Sequence, residues 1–222
     1  MGQNGRRELT GLFRQAIPVL GVIALFTAGA LAFSLLLGEK ALALTAEGGP
    51  VETATVALYA ICFVASVIML LRGYRVAGVL ALLALLMAAR EMDAHKAFTT
   101  YGLFKTRLYV SPDVPLAEKL IAGAVVLGLV ALVVWSVRAA WRDFTNAHSR
   151  VGVTLLGLAG FGVFLKKVDG LPRELRRAGM EMDPTLLSLS KAVEEVGELG
   201  LPVILVLGLF QAFLCRKQAE QV

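Results

Sequence analysis

The sequence predicts an all-α fold: an integral membrane bundle of about six transmembrane helices with short loops. Composition gives the first reason. The chain is 57% hydrophobic and 18% charged, with a mean hydropathy of +0.73, whereas soluble domains are about half apolar and about a quarter charged. The second is a series of apolar runs near the length of about 20 residues that a helix needs to cross a hydrocarbon layer of about 30 Å. The third is economy of length. With six such runs, 222 residues leave no room for a separate soluble domain, so residues 1–222 read as a single multi-pass membrane domain.

The first span is placed at Ala16 to Leu37, behind Arg6, Arg7 and Arg14. Its apolar run exceeds the roughly 7 to 15 residues of a cleavable signal segment, so it is read as a retained helix. The second and third spans are Thr53 to Leu71 and Val76 to Arg90. The fourth, Lys119 to Val137, is thinned by Gly123 and Gly128. The fifth, Val151 to Leu165, contains Gly152, Gly157, Gly160 and Gly162. Small residues let membrane helices approach closely, so these faces predict a tight bundle and a surface on which copies of the chain could pair. The sixth span is Val193 to Leu214. Asp183 before Pro184 has the pattern of an N-cap followed by proline at the first helical position, which starts this helix well outside the membrane. Pro202 then falls inside it as a candidate kink.

An even number of spans puts both termini on one side. Arg6, Arg7, Arg14, Arg72, Arg75, Arg138, Arg142, Arg150, Arg216 and Lys217 crowd the short segments of that side, which the positive-inside rule makes cytoplasmic. The implied location is a bacterial inner membrane. All acidic residues except Glu8, Asp143 and Glu220 lie on the opposite side. Cys62 and Cys215 sit within or at the end of spans, where they form no disulfide framework and read as packing residues.

Counting about 20 residues from the cytoplasmic ends brings Glu52, His95, Gly170 and Gly197 to the outer boundary, with Glu91, Lys166 and Lys167 about one turn deeper. Glu91 and His95 share one helical face, and Glu194, Glu195 and Glu198 occupy one arc. Carboxylates so spaced, facing a Glu-x-x-x-His pair, could hold a divalent metal ion through Glu52, Glu91, His95, Glu195 and Glu198. The competing reading is a set of helix-end ion pairs. Lys191 shares the arc of Glu194 and Glu195, Arg90 and Lys96 flank the Glu91 stretch, and Lys166 and Lys167 lie near Asp169.

Two loops have interfacial character. Phe98, Tyr101 and Phe104 recur every three residues, followed by Lys105, Arg107 and Tyr109. Aromatic rings favour the headgroup level and basic side chains there attract lipid phosphate, so Lys105 and Arg107 are the expected phosphate contacts. Leu171, Leu175, Ala178 and Met182 form an apolar stripe among Arg173, Glu174, Arg176 and Arg177, which predicts a short helix lying in the interface.

These observations predict a charged extracytoplasmic site for a lipid headgroup or a divalent cation. A metal-dependent hydrolase or transferase acting on an envelope lipid would use Glu91 or Glu198 as general base. A proton- or cation-coupled transporter would use the same groups as an outer gate but lacks an ionisable residue at mid-bilayer. A structural or assembly subunit needs only the glycine faces and the loops. Membrane lipids are the expected partners. Nucleic acid is not, because the basic residues behind the net charge of +5 are scattered.

Overall fold

The computed structural model describes the backbone of residues 3–46, 48–74, 76–94, 98–147 and 150–219, and the side chains within them except 3–15, 39, 42, 133, 136–137, 139–147, 150 and 215–219. Its helices are α1 (Gln3–Leu37), α2 (Glu39–Leu44), α3 (Pro50–Leu71), α4 (Val76–Glu91), α5 (Thr106–Val110), α6 (Leu116–Ala147), α7 (Arg150–Arg177) and α8 (Pro184–Ala219), with no strand among the described residues. The all-α membrane class is what the apolar runs predict, because a backbone without water must satisfy its own hydrogen bonds.

The number of crossings is corrected from about six to about four. Among the described residues, the segments long and apolar enough to cross are Ala16–Leu37, Pro50–Leu71, Val151–Arg177 and Pro184–Leu214. Helix α4 has 16 residues, about 24 Å at 1.5 Å per residue, which is short of the hydrocarbon thickness. Helix α6 has 32 residues and an uncharged apolar run from Leu120 to Val137, but part of that run lies outside the residues whose side chains are described, so it is not counted among the four.

Helix α8 is the hub. Over half of its span is buried (56%), against 11 to 28% for the other three spans. It packs on α1, α3, α4 and α7, while α3 pairs with α4 and α6 touches α7. The core joins Val19 of α1, Tyr59 and Cys62 of α3, Leu80 and Ala84 of α4, Leu158, Phe161 and Leu165 of α7, and Leu201, Ile204 and Leu205 of α8. Close approach to this hub uses glycine. A Cβ at Gly197 would collide with the Leu165 side chain, and one at Gly200 would stand 2.9 Å from the Phe26 ring. In the fifth predicted span Gly157 is tight, against Val19, whereas Gly160 and Gly162 have open space, as do Gly123 and Gly128 of α6.

The segment after the fifth span is not a separate interfacial helix. Helix α7 runs unbroken through Pro172 to Arg177 and closes on Gly179 at φ 77°, where the Met180 N–H donates to Leu175 O and the Gly179 N–H to Arg176 O. This is the Schellman arrangement, which needs a left-handed residue. Pro172 is tolerated for an identifiable reason. A proline deprives the carbonyl four residues earlier of its donor, here that of Val168, and the Ser190 hydroxyl of α8 donates to that carbonyl at 3.1 Å. Helix α8 starts as predicted, with the Thr185 N–H donating to Asp183 Oδ1 at 2.8 Å. That bond holds the Asp183 carboxyl below the usual carboxylate range. Its capping contribution is therefore present above the unfolded value of about 4 and is lost as pH falls through the lower folded value.

The rescue of Val168 by Ser190 is testable by a double-mutant cycle. Ser190→Ala should lower stability in detergent by about 1 kcal/mol or more, the cost of an orphaned buried carbonyl. The same change should cost much less on a Pro172→Ala background, where the helix supplies its own donor. Equal losses on both backgrounds would show that Ser190 acts through packing alone.

Candidate functional site

The ends of α3 and α4 and the middle of α8 bring polar chemistry together because α8 begins outside the span and carries its acidic arc inward. Glu198 is 7% exposed, between Ala192 and Val193 above it and Leu201 below it, all three buried. Arg90 ion-pairs with it through Nη2 and Glu198 Oε1, so the last turn of α4 is tied to α8. Glu91, the last residue of α4, has a side chain only 8% exposed, with Oε1 3.5 Å from Arg90 Nη1. That is an ion-pair distance without a hydrogen bond, and this oxygen has no hydrogen-bond partner among the described residues. The Glu91 and Glu198 carboxyls also lie within side-chain hydrogen-bond reach of each other.

Tyr59 enters the same cluster from α3. It is fully buried, its hydroxyl has no partner among the described residues, and it interacts electrostatically with Glu91, Glu198 and Arg90. One turn further along α3, the Cys62 thiol donates to Pro202 O at 3.4 Å, which sets α3 against α8 in parallel register. Glu195, next on the α8 arc, feels Glu198, Glu194 and Glu52. A second network surrounds Asp169, which accepts from Lys166 and, at 2.9 Å, from Arg173 and lies within hydrogen-bond reach of Glu194.

Of the residues expected to hold a metal, Glu91, Glu195 and Glu198 are gathered at one end of the bundle. Glu52 reaches only the margin of the group, because its Oε2 accepts the Gly48 N–H at 2.7 Å. His95 lies outside the described residues. Among the described residues no three His, Cys, Asp or Glu side chains converge as a metal site. The guanidinium of Arg90 supplies the positive charge between the two innermost carboxylates, the same two expected to serve as general base. Two ion pairs lie in this region, Arg90 with Glu198 and Lys166 with Asp169.

Lys105 and Arg107 belong to a small folded cap. Residues 98–115 have their own core of Leu103, Leu108 and Val114 packed on Ala122 of α6. The Tyr109 hydroxyl donates to Leu103 O at 2.7 Å, Glu118 accepts from the Thr100 N–H at 2.7 Å, and Arg107 lies 4.6 Å from the Tyr101 ring centroid. Lys105 occupies the N-cap position of α5. Phe98 (83% exposed) and Phe104 (66%) project from this cap, as interfacial aromatics do.

Beneath the cap, α4 and α6 are not packed along one another, and the gap is an apolar groove with two lobes of about 570 and 580 Å³. Both lobes share Leu86, Ala89, Leu103 and Leu129. Among the described residues, Arg90 is the one charged residue lining the first lobe, and Glu118 the one lining the second. Arg90 therefore has two faces: one held by Glu198, the other, in a side chain 43% exposed, open to the groove. Tyr59, Arg90 and the groove were not among the sequence-predicted site residues. Arg90 was read only as a flanking cation, and a tyrosine in an apolar span carries no signal of its own.

No known family model matches this chain, and neither characterised proteins nor solved structures offer a match.

The cluster makes a signed stability prediction. Arg90→Gln leaves Glu91 and Glu198 facing each other without a cation and should cost about 1 to 3 kcal/mol, below the range for a fully buried pair because Arg90 is half-exposed. Adding Glu198→Gln should restore part of that loss. A double variant less stable than Arg90→Gln alone would show that carboxylate repulsion does not govern this site.

Proposed function

We propose that this multi-pass membrane protein binds an anionic phospholipid at the charged end of its bundle, with one acyl chain in the groove between α4 and α6 and the headgroup at Arg90, Lys105 and Arg107. The observation that carries the reading is the groove itself: an apolar cleft whose first lobe has, among the described residues, a single charged wall residue, Arg90, already oriented from behind by Glu198. A cleft of this kind fits the amphipathic shape of a lipid, since pockets are typically apolar with a few placed polar groups. The cap adds exposed aromatics and two cations at the level where phosphates lie. Arginine density favours an extracytoplasmic position for this end, in a bacterial inner membrane. Binding at such a site serves either a reaction on the lipid or the anchoring of an assembly, and the groove supports the binding step common to both.

The expected outcome is lipid-selective retention. Protein purified in neutral detergent should keep an anionic phospholipid in native mass spectra and be stabilised by it more than by a zwitterionic lipid of the same chains. Ala89→Trp, which puts an indole ring into the wall that both lobes share, should sharply lower retention of either lipid. Lys105→Gln with Arg107→Gln should keep acyl binding but lower the preference for the anionic lipid about tenfold or more, at about 1 kcal/mol per basic residue near a charged lipid surface. Equal binding of the two lipids by the wild type, unchanged in Ala89→Trp, would overturn the reading.

A further inference from the structure

The cluster behind Arg90 holds more than the groove uses. Glu91 and Glu198 share one guanidinium in a nearly dry setting, and burial together with Glu198 pushes the Glu91 carboxyl up, so ionisation of both carboxylates calls for a second positive charge, a bound cation or a proton on Glu91. Charges there are rare unless paired or functional. Two further polar atoms are left over at the same place: Glu91 Oε1 and the Tyr59 hydroxyl, both without a hydrogen-bond partner among the described residues. Tyr59 is 0% exposed and the Glu91 side chain 8%. Buried polar atoms are almost always satisfied, so two orphans beside an unbalanced charge point to an occupant.

A third oxygen follows from the sequence of α8. Pro202 lies inside the helix and has no N–H, so the main-chain carbonyl of Glu198, four residues earlier, has no helical donor. Cys62 touches Pro202 O, so with α3 and α8 in parallel register the turn that begins at Tyr59 runs beside the turn from Glu198 to Pro202. Carbonyls released at a helix irregularity are a recurrent alkali-cation ligand in membrane proteins.

We propose that Tyr59, Glu91 and Glu198 form a binding site for one monovalent alkali cation, coordinated by the Tyr59 hydroxyl, Glu91 Oε1, the Glu198 carboxylate and the Glu198 carbonyl. Hard oxygens without imidazole or thiolate suit an alkali ion. A single charge matches the deficit, whereas a divalent ion would exceed it beside Arg90, in keeping with the lack of a three-ligand divalent site among the described residues. The site is independent of the lipid reading, although Arg90 borders both. It would also place an ion-binding group part-way into the bundle, since Tyr59 is nine residues from the start of α3, about 13 Å along its axis.

The test uses the full chain in neutral detergent at constant ionic strength, with sodium, potassium or choline as the only cation. Wild-type protein should melt about 5 °C higher in sodium or potassium than in choline once the ion exceeds its Kd about 100-fold. It should also bind radioactive sodium with near-unit stoichiometry. Tyr59→Phe and Glu91→Gln should each remove most of that shift and of the bound sodium, and Lys105→Gln with Arg107→Gln should retain both. The wild-type measurements need no variant to fold. Identical melting in all three salts with no bound sodium would overturn the proposal, as would a melting point that follows pH alone, which would make a proton the balancing charge. Loss of lipid retention with an intact sodium shift would refute the lipid reading and leave this one standing.

Discussion

The ion pair between Arg90 and Glu198 is the constraint around which this bundle is arranged. Helix α4 is too short to span the hydrocarbon unaided, and its last turn is fixed to the central helix by this charge pair at a depth where an unpaired charge is costly. The pair fixes which face of α4 turns inward, and so sends Glu91 into the core and Ala89 and Leu86 to the groove. It also explains how a carboxylate on the most buried helix is kept. Glu198 sits one turn from Pro202 and against the buried seam of α3, where Thr55, Tyr59, Cys62 and Ser66 recur at helical spacing.

That seam shows how polar side chains are accommodated without water. Thr55 donates to Val51 O at 3.0 Å and Ser66 to Cys62 O at 2.6 Å, each returning its hydroxyl to its own helix, while Cys62 reaches across to α8. Near the other end of the bundle Thr154 donates to Gln211 Oε1 at 2.6 Å, joining α7 to α8. Tyr59 is the member of the seam whose hydroxyl lacks such a bond among the described residues. Its exception, next to Glu91, is the observation on which the cation proposal rests.

The fold was legible in the sequence wherever one physical term dominated. Hydropathy set the helical membrane class, and the Asp183-Pro184 pair located the start of α8, because both are local properties. Span count was less legible: apolarity alone does not distinguish a 16-residue helix packed beside its neighbours from one that crosses, and the apolar stripe at Leu171 and Leu175 read as a new helix when it is the end of α7. The acidic layer was visible from depth and arc, and Glu91, Glu195 and Glu198 do assemble. Their partner was not visible, because Arg90 lies 108 residues from Glu198 and meets it only through the packing of α4 on α8. Lys191, the local candidate, shares the arc and feels Glu195, but it does not occupy the centre. The groove is a property of two helices that are not packed along one another, and no single segment encodes that.

The hydroxyl of Ser190 on the Val168 carbonyl has a consequence for how the protein is made. During synthesis α7 emerges with a carbonyl that Pro172 has left without a helical donor, and the hydroxyl that meets it lies 22 residues downstream. An apolar helix carrying an unmet carbonyl is a poor candidate for release into lipid by itself. Entry of α7 and α8 together as a hairpin would place that hydroxyl on the carbonyl before α7 met lipid alone.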